Sequence, residues 1–359
     1  MKKILNFIKK ILNFLNLNLI INLKKNLVGL PVINRGIGFI LSFSNKAYIS
    51  HNLRPKDARN FSYCSTDEVE EDKIGILIQG PIPNNEDLYF LEQTINIYEK
   101  IFPNQKVVLS TWDNCNTGSL QRKKNLEIIK SKSPDKPGLS NINYQIKSTS
   151  EGIRLFKENK IKNVLKTRTD ARIMKPNTSS FLLNLQKTFP AEDNNFGRIF
   201  TGSIATCKYR IYGVSDILLF GKIEDLDLYF KNEDEESILP KYNFERIMNE
   251  TGVIAEVLLC ARYLKNKNVK LEWSLNHWWK CLKDYFGIID AHSLDFFMHK
   301  YNWDLEQRYI KNYSKKSDRC FEFSEWLSLY NGTNLNLDKL DYKEKSLIEN
   351  GKVKKIQIL

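Results

Sequence analysis

The order of apolar and polar positions divides this chain into three stretches. At the start, Lys2-Lys3-Ile4-Leu5-Asn6-Phe7 recurs seven residues later as Lys9-Lys10-Ile11-Leu12-Asn13-Phe14. On a helix, Ile4, Ile8, Ile11 and Leu15 form one stripe, and Lys2, Asn6, Lys9, Asn13 and Asn16 form the opposite one. Such a cationic amphipathic helix, over residues 1–25, suits the acyl boundary of an anionic leaflet. Lys9 and Lys10 interrupt any signal-peptide core. The apolar runs at 27–33 and 36–43 are broken by Pro31, Asn34 and Arg35, well short of the ~20 residues that span a bilayer. Residues 26–72 read as a connecting segment that ends in an acidic, turn-prone junction.

From residue 73 the pattern changes to alternating strands and helices. Ile74-Gly75-Ile76-Leu77-Ile78-Gln79 is a buried-strand run stopped by Gly80-Pro81. Residues 88–102 predict a helix with Leu91, Ile95 and Tyr98 on one face, and 106–110 predict a second strand running into Thr111-Trp112-Asp113. A polar helix is expected near 119–130, a Pro/Gly/Ser loop over 131–140, and a third strand or extended segment at 142–146. A helix over 152–159 and a strand over 162–167 follow. Alternation at these spacings argues for an α/β fold with a mostly parallel central sheet and helices on both faces. Farther on, 198–200 and 217–220 read as strands, and 224–231 and 253–264 as helices. Aromatic-rich segments at 273–279 and 296–303 lead into a helical C-terminal part and a polar tail at 331–359.

Composition narrows the partners. With 359 residues, 42% hydrophobic and 27% charged, the chain is globular and large enough for a well-buried core. Residues 1–56 hold ten lysines and arginines and no acid, so +10 of the net +13 belongs to them and +3 to residues 57–359. A nucleic-acid binder needs basic residues spread over a folded face, so no nucleic-acid partner is expected. The six cysteines are scattered without C-x-x-C spacing, which points to free thiols in a reducing cytoplasm rather than a zinc or redox site. His277 and Cys281 are four apart, but Trp278 and Trp279 beside them suggest packed core.

The chemistry concentrates in Val164-Leu165-Lys166-Thr167-Arg168-Thr169-Asp170-Ala171-Arg172. A short strand here delivers, at its C-terminal end, a carboxylate between two guanidinium groups. Open α/β sheets bind ligands at that end of their strands; an acid there can hold a divalent metal and arginines can hold phosphate oxygens. Other segments end on the same edge. Gly80 and Pro81 form a turn open to close approach, and Gln79 can read a base or ribose through its amide. Thr111, Trp112 and Asp113 offer a ring to stack on a base and an acceptor for a ribose hydroxyl. Asn143 and Gln145 alternate on one strand face. Ser148-Thr149-Ser150-Glu151 resembles a helix cap followed by Arg154, where a diphosphate would offset an arginine set against the helix dipole. Each has an ordinary structural reading alone: a plain turn, a buried Trp, a solvated Arg, a surface ion pair. Their convergence favours a nucleotide-derivative site. No G-x-G-x-x-G or Walker sequence occurs, which argues against dehydrogenases and P-loop ATPases.

These residues also carry a family resemblance. The ordered series Ile78-Gln79-Gly80-Pro81-Ile82, Phe102-Pro103, Leu109-Ser110-Thr111-Trp112, Asn143-x-Gln145, Gly152-Ile153 and Lys166-Thr167-Arg168-Thr169-Asp170 resembles the WavE lipopolysaccharide synthesis family, as does Tyr212-Gly213-x-Ser215-Asp216-x-x-x-Phe220-Gly221. The resemblance runs from about Lys73 to about Leu264. It implies a bacterial glycosyltransferase of surface-polysaccharide assembly with a GT-A-like single catalytic domain over 73–330. A donor-binding half (73–175) would precede an acceptor half (176–330). In such folds a D-x-D-type motif after a central strand holds a metal on the donor diphosphate. Asp170 matches that position with a single carboxylate. Either it binds Mn²⁺ or Mg²⁺ with waters and phosphates completing the shell, or Arg168 and Arg172 replace the metal's charge.

The leading expectation is a nucleotide-sugar-dependent glycosyltransferase, peripherally attached at the cytoplasmic face of the plasma membrane, acting on a glycan or glycolipid acceptor. Gln79, Trp112 and Asp113 would seat the nucleoside, and Arg154, Asp170 and Arg172 the diphosphate. If the reaction inverts, Glu256 or Asp216 would take the acceptor's proton, with His292 a weaker third candidate. A nucleotidyl- or phosphotransferase on a surface glycan and a membrane-tethered scaffold of envelope assembly are the alternatives.

Overall fold

The computed structural model describes residues 54–66, 74–191, 197–208, 210–231, 255–300, 320–332, 348–349 and 352–353. The amphipathic helix expected over 1–25, most of the connecting segment and most of the tail lie outside these residues. Two compact units are present, Met1–Ser62 and Tyr63–Leu359. In the first, a short 3-10 turn at Ala58–Asn60 is capped by Asp57, which accepts from the Arg59 backbone N–H at 2.9 Å and pairs with its guanidinium.

The second unit is built on a seven-stranded sheet. Its strands are β1 (Ile74–Gln79), β2 (Lys106–Trp112), β3 (Leu126–Ser131), β4 (Asn163–Arg168), β6 (Ile199–Gly202), β7 (Leu219–Lys222) and β8 (Phe286–Ile289). A separate two-stranded ladder pairs β5 (Ala171–Arg172) with β9 (Phe297–Met298). The spatial order is β3-β2-β1-β4-β7-β6-β8, and only β7 runs against the rest. β1 is buried at every position, as expected of a central parallel strand covered on both faces. The reversal of β7 has a consequence for chemistry. It brings the residues leading into β7 to the edge where β1, β2 and β4 end.

The helices are α1 (Asn85–Ile101), α2 (Ile142–Glu158), α3 (Thr178–Thr188), α4 (Ile223–Tyr229), α5 (Ala255–Asn266), α6 (Leu275–Tyr285) and α7 (Phe323–Tyr330). α1 starts three residues before the apolar periodicity suggests, because Asn84 caps it by accepting from the Glu86 and Asp87 N–H groups. β7 likewise begins two residues later than the apolar run at 217–220, whose first half belongs to the loop.

Two sequence expectations are overturned. The polar helix expected near 119–130 is a 3-10 turn at Leu120–Arg122 followed by β3, an edge strand paired with β2. Its half-exposed side chains hide the strand alternation. The strand expected at 142–146 is the first turn of α2. Ile142, Ile146, Thr149, Ile153 and Phe156 are all buried, and their spacing of four, three, four and three is the helical period. Ser148 to Glu151 therefore lie mid-helix and cap nothing. Gly152 is needed there because a Cβ would collide with the Leu77 side chain of β1, so the helix lies directly on the sheet.

α5 is buried on nearly all sides, and its far end is pinned by a buried charge. The Asp225 carboxylate on α4 accepts from the Gly197 N–H at 2.6 Å and the Tyr263 hydroxyl at 3.0 Å, and it pairs with Lys267 at 3.0 Å. Removing one partner of such a buried pair costs about 3–5 kcal/mol. This anchor fixes the helix whose opposite end carries Glu256.

Candidate functional site

The C-terminal edge of the parallel strands gathers chemistry from both halves of the fold. β1 ends in Gln79 and Gly80, β2 in Trp112, and β4 in Arg168, followed by Thr169 and Asp170. Gly80 holds a φ of +136°, and a Cβ there would sit 2.7 Å from the Thr169 hydroxyl oxygen. Only glycine lets the turn close so tightly on the β4 exit. The Thr169 hydroxyl donates to the Pro81 carbonyl at 2.8 Å, and its N–H donates to the Gln79 carbonyl at 3.0 Å.

Arg168 and Asp170 form a two-pronged pair: Nε donates to Oδ1 and Nη2 to Oδ2, each at 2.8 Å. Both groups keep partial solvent access. Asp216, on the segment leading into antiparallel β7, is 1% exposed, and its Oδ2 has no hydrogen-bond partner among the described residues. Glu256, in the first turn of α5, is half-buried. Burial and the negative charge of Asp216 push Glu256 up to about 7, against opposing pulls from its own backbone N–H, Arg210 and Arg168. Two carboxylates from the second half thus come within electrostatic range of Arg168 from the first.

The loop that delivers Asp216 is held from several sides. Tyr212, in the left-handed region at φ +57°, accepts from the N–H groups of Glu272 and Trp273 at 3.2 Å each, and its hydroxyl lies 2.8 Å from His277 Nδ1. The Ser215 N–H donates to the Thr206 hydroxyl oxygen, and the Ser215 carbonyl accepts from Thr201. This explains the Tyr212-Gly213-x-Ser215-Asp216 pattern as a frame for one buried acid. All six cysteines are free thiols, and Cys281 packs against His277 in this frame.

The other candidate residues differ in where they are placed. Arg172 does not flank Asp170. It is buried, bonded to the Thr94 hydroxyl at 3.0 Å and the Phe90 carbonyl at 2.9 Å, and stacked 4.3 Å from the Phe90 ring centroid. The pairing of β5 with β9 turns it away from the edge. Arg154 is on the exposed face of α2, bridging Glu151 and Glu158, with no helix N-terminus near it. Asn143 and Gln145 share a helix rather than a strand face; the Asn143 amide donates to the Lys136 carbonyl, and Gln145 Oε1 is buried without a partner among the described residues. Gln79 is buried and accepts from the Ser148 hydroxyl at 2.8 Å. Trp112 is buried edge-on against Tyr144 at 5.6 Å, Thr111 is buried, and Asp113 is exposed. His292 is exposed on a 3-10 turn.

The residues around Asp170 do not suit a protein-held divalent cation. Both of its oxygens are engaged by one guanidinium, and no group of three or more metal-ligating side chains occurs among the described residues. Sequence reasoning missed Lys166, buried on β4 beside this cluster. A lysine inside the apolar run Val164-Leu165-Lys166 was the available signal, since lysine is almost never fully buried without a partner.

The sequence profile described as WavE lipopolysaccharide synthesis matches residues 74–356. No curated protein matches the chain. Among solved structures, the chain is similar to a cytidylyltransferase from Leptospira borgpetersenii, at 13% identity and a TM-score of 0.35, covering 72% of this chain and 94% of that one. A proposed nucleotide-diphospho-sugar transferase from Desulfovibrio desulfuricans is similar at 8% identity and 0.35, covering 73% and 96%. A glycosyltransferase involved in glycosylation of the major capsid of PBCV-1 is similar at 10% identity and 0.32, covering 61% and 82%.

Proposed function

This chain belongs to the WavE lipopolysaccharide synthesis family, and we propose that it is a GT-A-like glycosyltransferase that moves a sugar from a nucleotide-sugar donor to a growing surface polysaccharide. The acceptor would be lipopolysaccharide core, O-antigen or capsule. One observation carries the reading: Asp216 and Glu256 from the second half converge with Arg168 and Asp170 from the first at one sheet edge. When the bond from the anomeric carbon to the donor phosphate breaks, negative charge grows on the leaving diphosphate, and a positioned cation lowers that barrier. Arg168 is suited to this role, because its fork matches phosphate oxygens as well as a carboxylate. A Mn²⁺ or Mg²⁺ ion would supply the same neutralisation, and in this reading Arg168 does so instead. The acceptor hydroxyl loses its proton to Glu256, which holds a proton well near neutral pH. Gln79, Thr111, Trp112 and Asp113 border the side proposed for the nucleoside.

The test is a thermal-shift panel of nucleotide sugars, with Mg²⁺ or Mn²⁺ and with chelator, followed by product analysis with labelled donor. A donor at a hundredfold excess over its Kd stabilises by about 2.7 kcal/mol. Stabilisation by one nucleotide sugar and transfer of its sugar are expected. No stabilisation by any of them rejects the reading in favour of a scaffold. Label from the nucleotide appearing on the glycan makes the protein a nucleotidyltransferase.

No helix among the described residues is long and apolar enough to cross a membrane. We propose that residues 1–25, outside the described residues, attach the protein to the inner leaflet through their lysines and apolar stripe. Deleting residues 1–25 is expected to move the protein from the membrane pellet to the supernatant; an unchanged distribution rejects the attachment.

A further inference from the structure

Lys166 is 0% exposed in the middle of the sheet, paired in register with Leu77 of β1 and Leu219 of β7. An ammonium group buried there without compensation would cost several kcal/mol. The compensation comes from the edge cluster. The Nζ donates to the backbone carbonyl of Asp216 and lies 5.7 Å from the Phe230 ring centroid. Asp216, Asp170 and Glu256 are within electrostatic range of it and favour its charged form, while Arg168 opposes it. Lys166 is too deeply buried to touch a ligand, so its part in the chemistry is indirect.

We propose that Lys166 is a positioning residue: its ammonium clamps the end of the Asp216 loop onto β4 and supplies the buried cation against which Asp216 and Glu256 are packed together. Without it, Arg168 and Arg210 would be left, among the described residues, to offset two carboxylates in a poorly solvated site, where like charges repel strongly. Burial lowers Lys166 to about 8, with the carboxylates pulling the other way, so the cation is present at neutral pH. Among the described residues, the titratable and charged groups in electrostatic range of Glu256 are Asp216, Arg210, Arg168, Lys166 and the Tyr229 phenol. Burial, with Cys260, Asp216 and Glu256 adding in that order, pushes that phenol well above its ordinary value.

The inference rests on the proposed transfer site, but its test needs neither donor nor acceptor. In the full chain labelled with [13C]glutamate, the Glu256 carboxyl signal, assigned by its loss in Glu256→Gln, is titrated. Lys166→Met and Lys166→Gln are expected to raise its midpoint, and Asp216→Asn to lower it by more, since Asp216 is the strongest charged influence on Glu256. The Gln variant keeps a hydrogen-bond donor, so a rise in both variants identifies charge as the cause. An unmoved midpoint in both overturns the proposal. Should neither variant fold, the doubles Lys166→Met/Asp216→Asn and Lys166→Gln/Asp216→Asn decide. Folding of a double supports charge compensation, and failure of both assigns Lys166 to packing alone. A midpoint that moves as expected in a protein that binds no nucleotide sugar would retain this inference and reject only the transferase reading.

Discussion

Replacing Glu256 by Gln is expected to lower kcat/KM for sugar transfer by about 10²–10⁴-fold, the usual worth of a positioned general base, while the protein stays folded. Gln keeps the side chain's shape and removes only its ability to take the acceptor's proton. The stability of the variant discriminates this from a structural lesion. Glu256 is raised from 4.5 to about 7 by burial and by Asp216, so the native state holds its proton more tightly than the unfolded chain does. Its contribution to stability is complete below about 4.5 and is lost as pH rises through about 7. Above that pH the wild type keeps a buried carboxylate beside Asp216, and Glu256→Gln should melt at the same temperature or higher. The wild-type kcat/KM should fall tenfold per unit of pH below about 7 and level off above it. Full transfer activity in Glu256→Gln, measured at pH 8 with labelled donor, would remove Glu256 from the chemistry and leave Asp216 as the remaining carboxylate.

The sheet was legible because its central strands need little context. Ile74 to Gln79 is apolar at nearly every position, and a strand buried on both faces looks the same whatever covers it. α2 was not legible, for a local reason and a longer-range one. Ile142, Asn143, Tyr144, Gln145 and Ile146 alternate like a strand over five residues, and the helical period emerges only when Ile153 and Phe156 are included. The hydroxyls at 148–150 imitate a helix cap, whereas the Ser148 hydroxyl, shared between Gln79 and the Tyr144 carbonyl of its own helix 2.7 Å away, shows the mid-helix behaviour of serine. Arg172 fails differently. Its direction depends on Ala171 pairing with Met298, a contact that no window around residue 172 contains. Glu256 and Asp216 could be named as carboxylates from sequence, but that they meet depends on β7 running antiparallel and on α5 ending at the same edge.

Arg168 carries the other large effect. Arg168→Ala is expected to lower kcat by about 10²–10³-fold, the loss typical of removing one group that stabilises developing negative charge. Its bond to Asp170 is partly exposed, and pairs of that kind contribute about 0–1 kcal/mol; a large loss of activity with a small change in melting temperature therefore separates catalysis from stability. Arg168→Lys restores the charge without the two-pronged geometry and should recover only part of the rate. Asp170→Ala supplies the complementary variant. It removes the carboxylate that aims the guanidinium, so donor hydrolysis and transfer should both fall while folding stays near normal. Chelation distinguishes an arginine from a metal at the diphosphate. With Arg168 as the cation, wild-type transfer in EDTA should stay within about twofold of its rate with Mg²⁺, because the charge that meets the leaving group is covalently part of the chain. If EDTA abolished transfer and Mn²⁺ restored it while Arg168→Ala kept its rate, Asp170 would have to release the guanidinium and take up a cation. The Arg168–Asp170 pair would then be a resting state of the empty site rather than its working form.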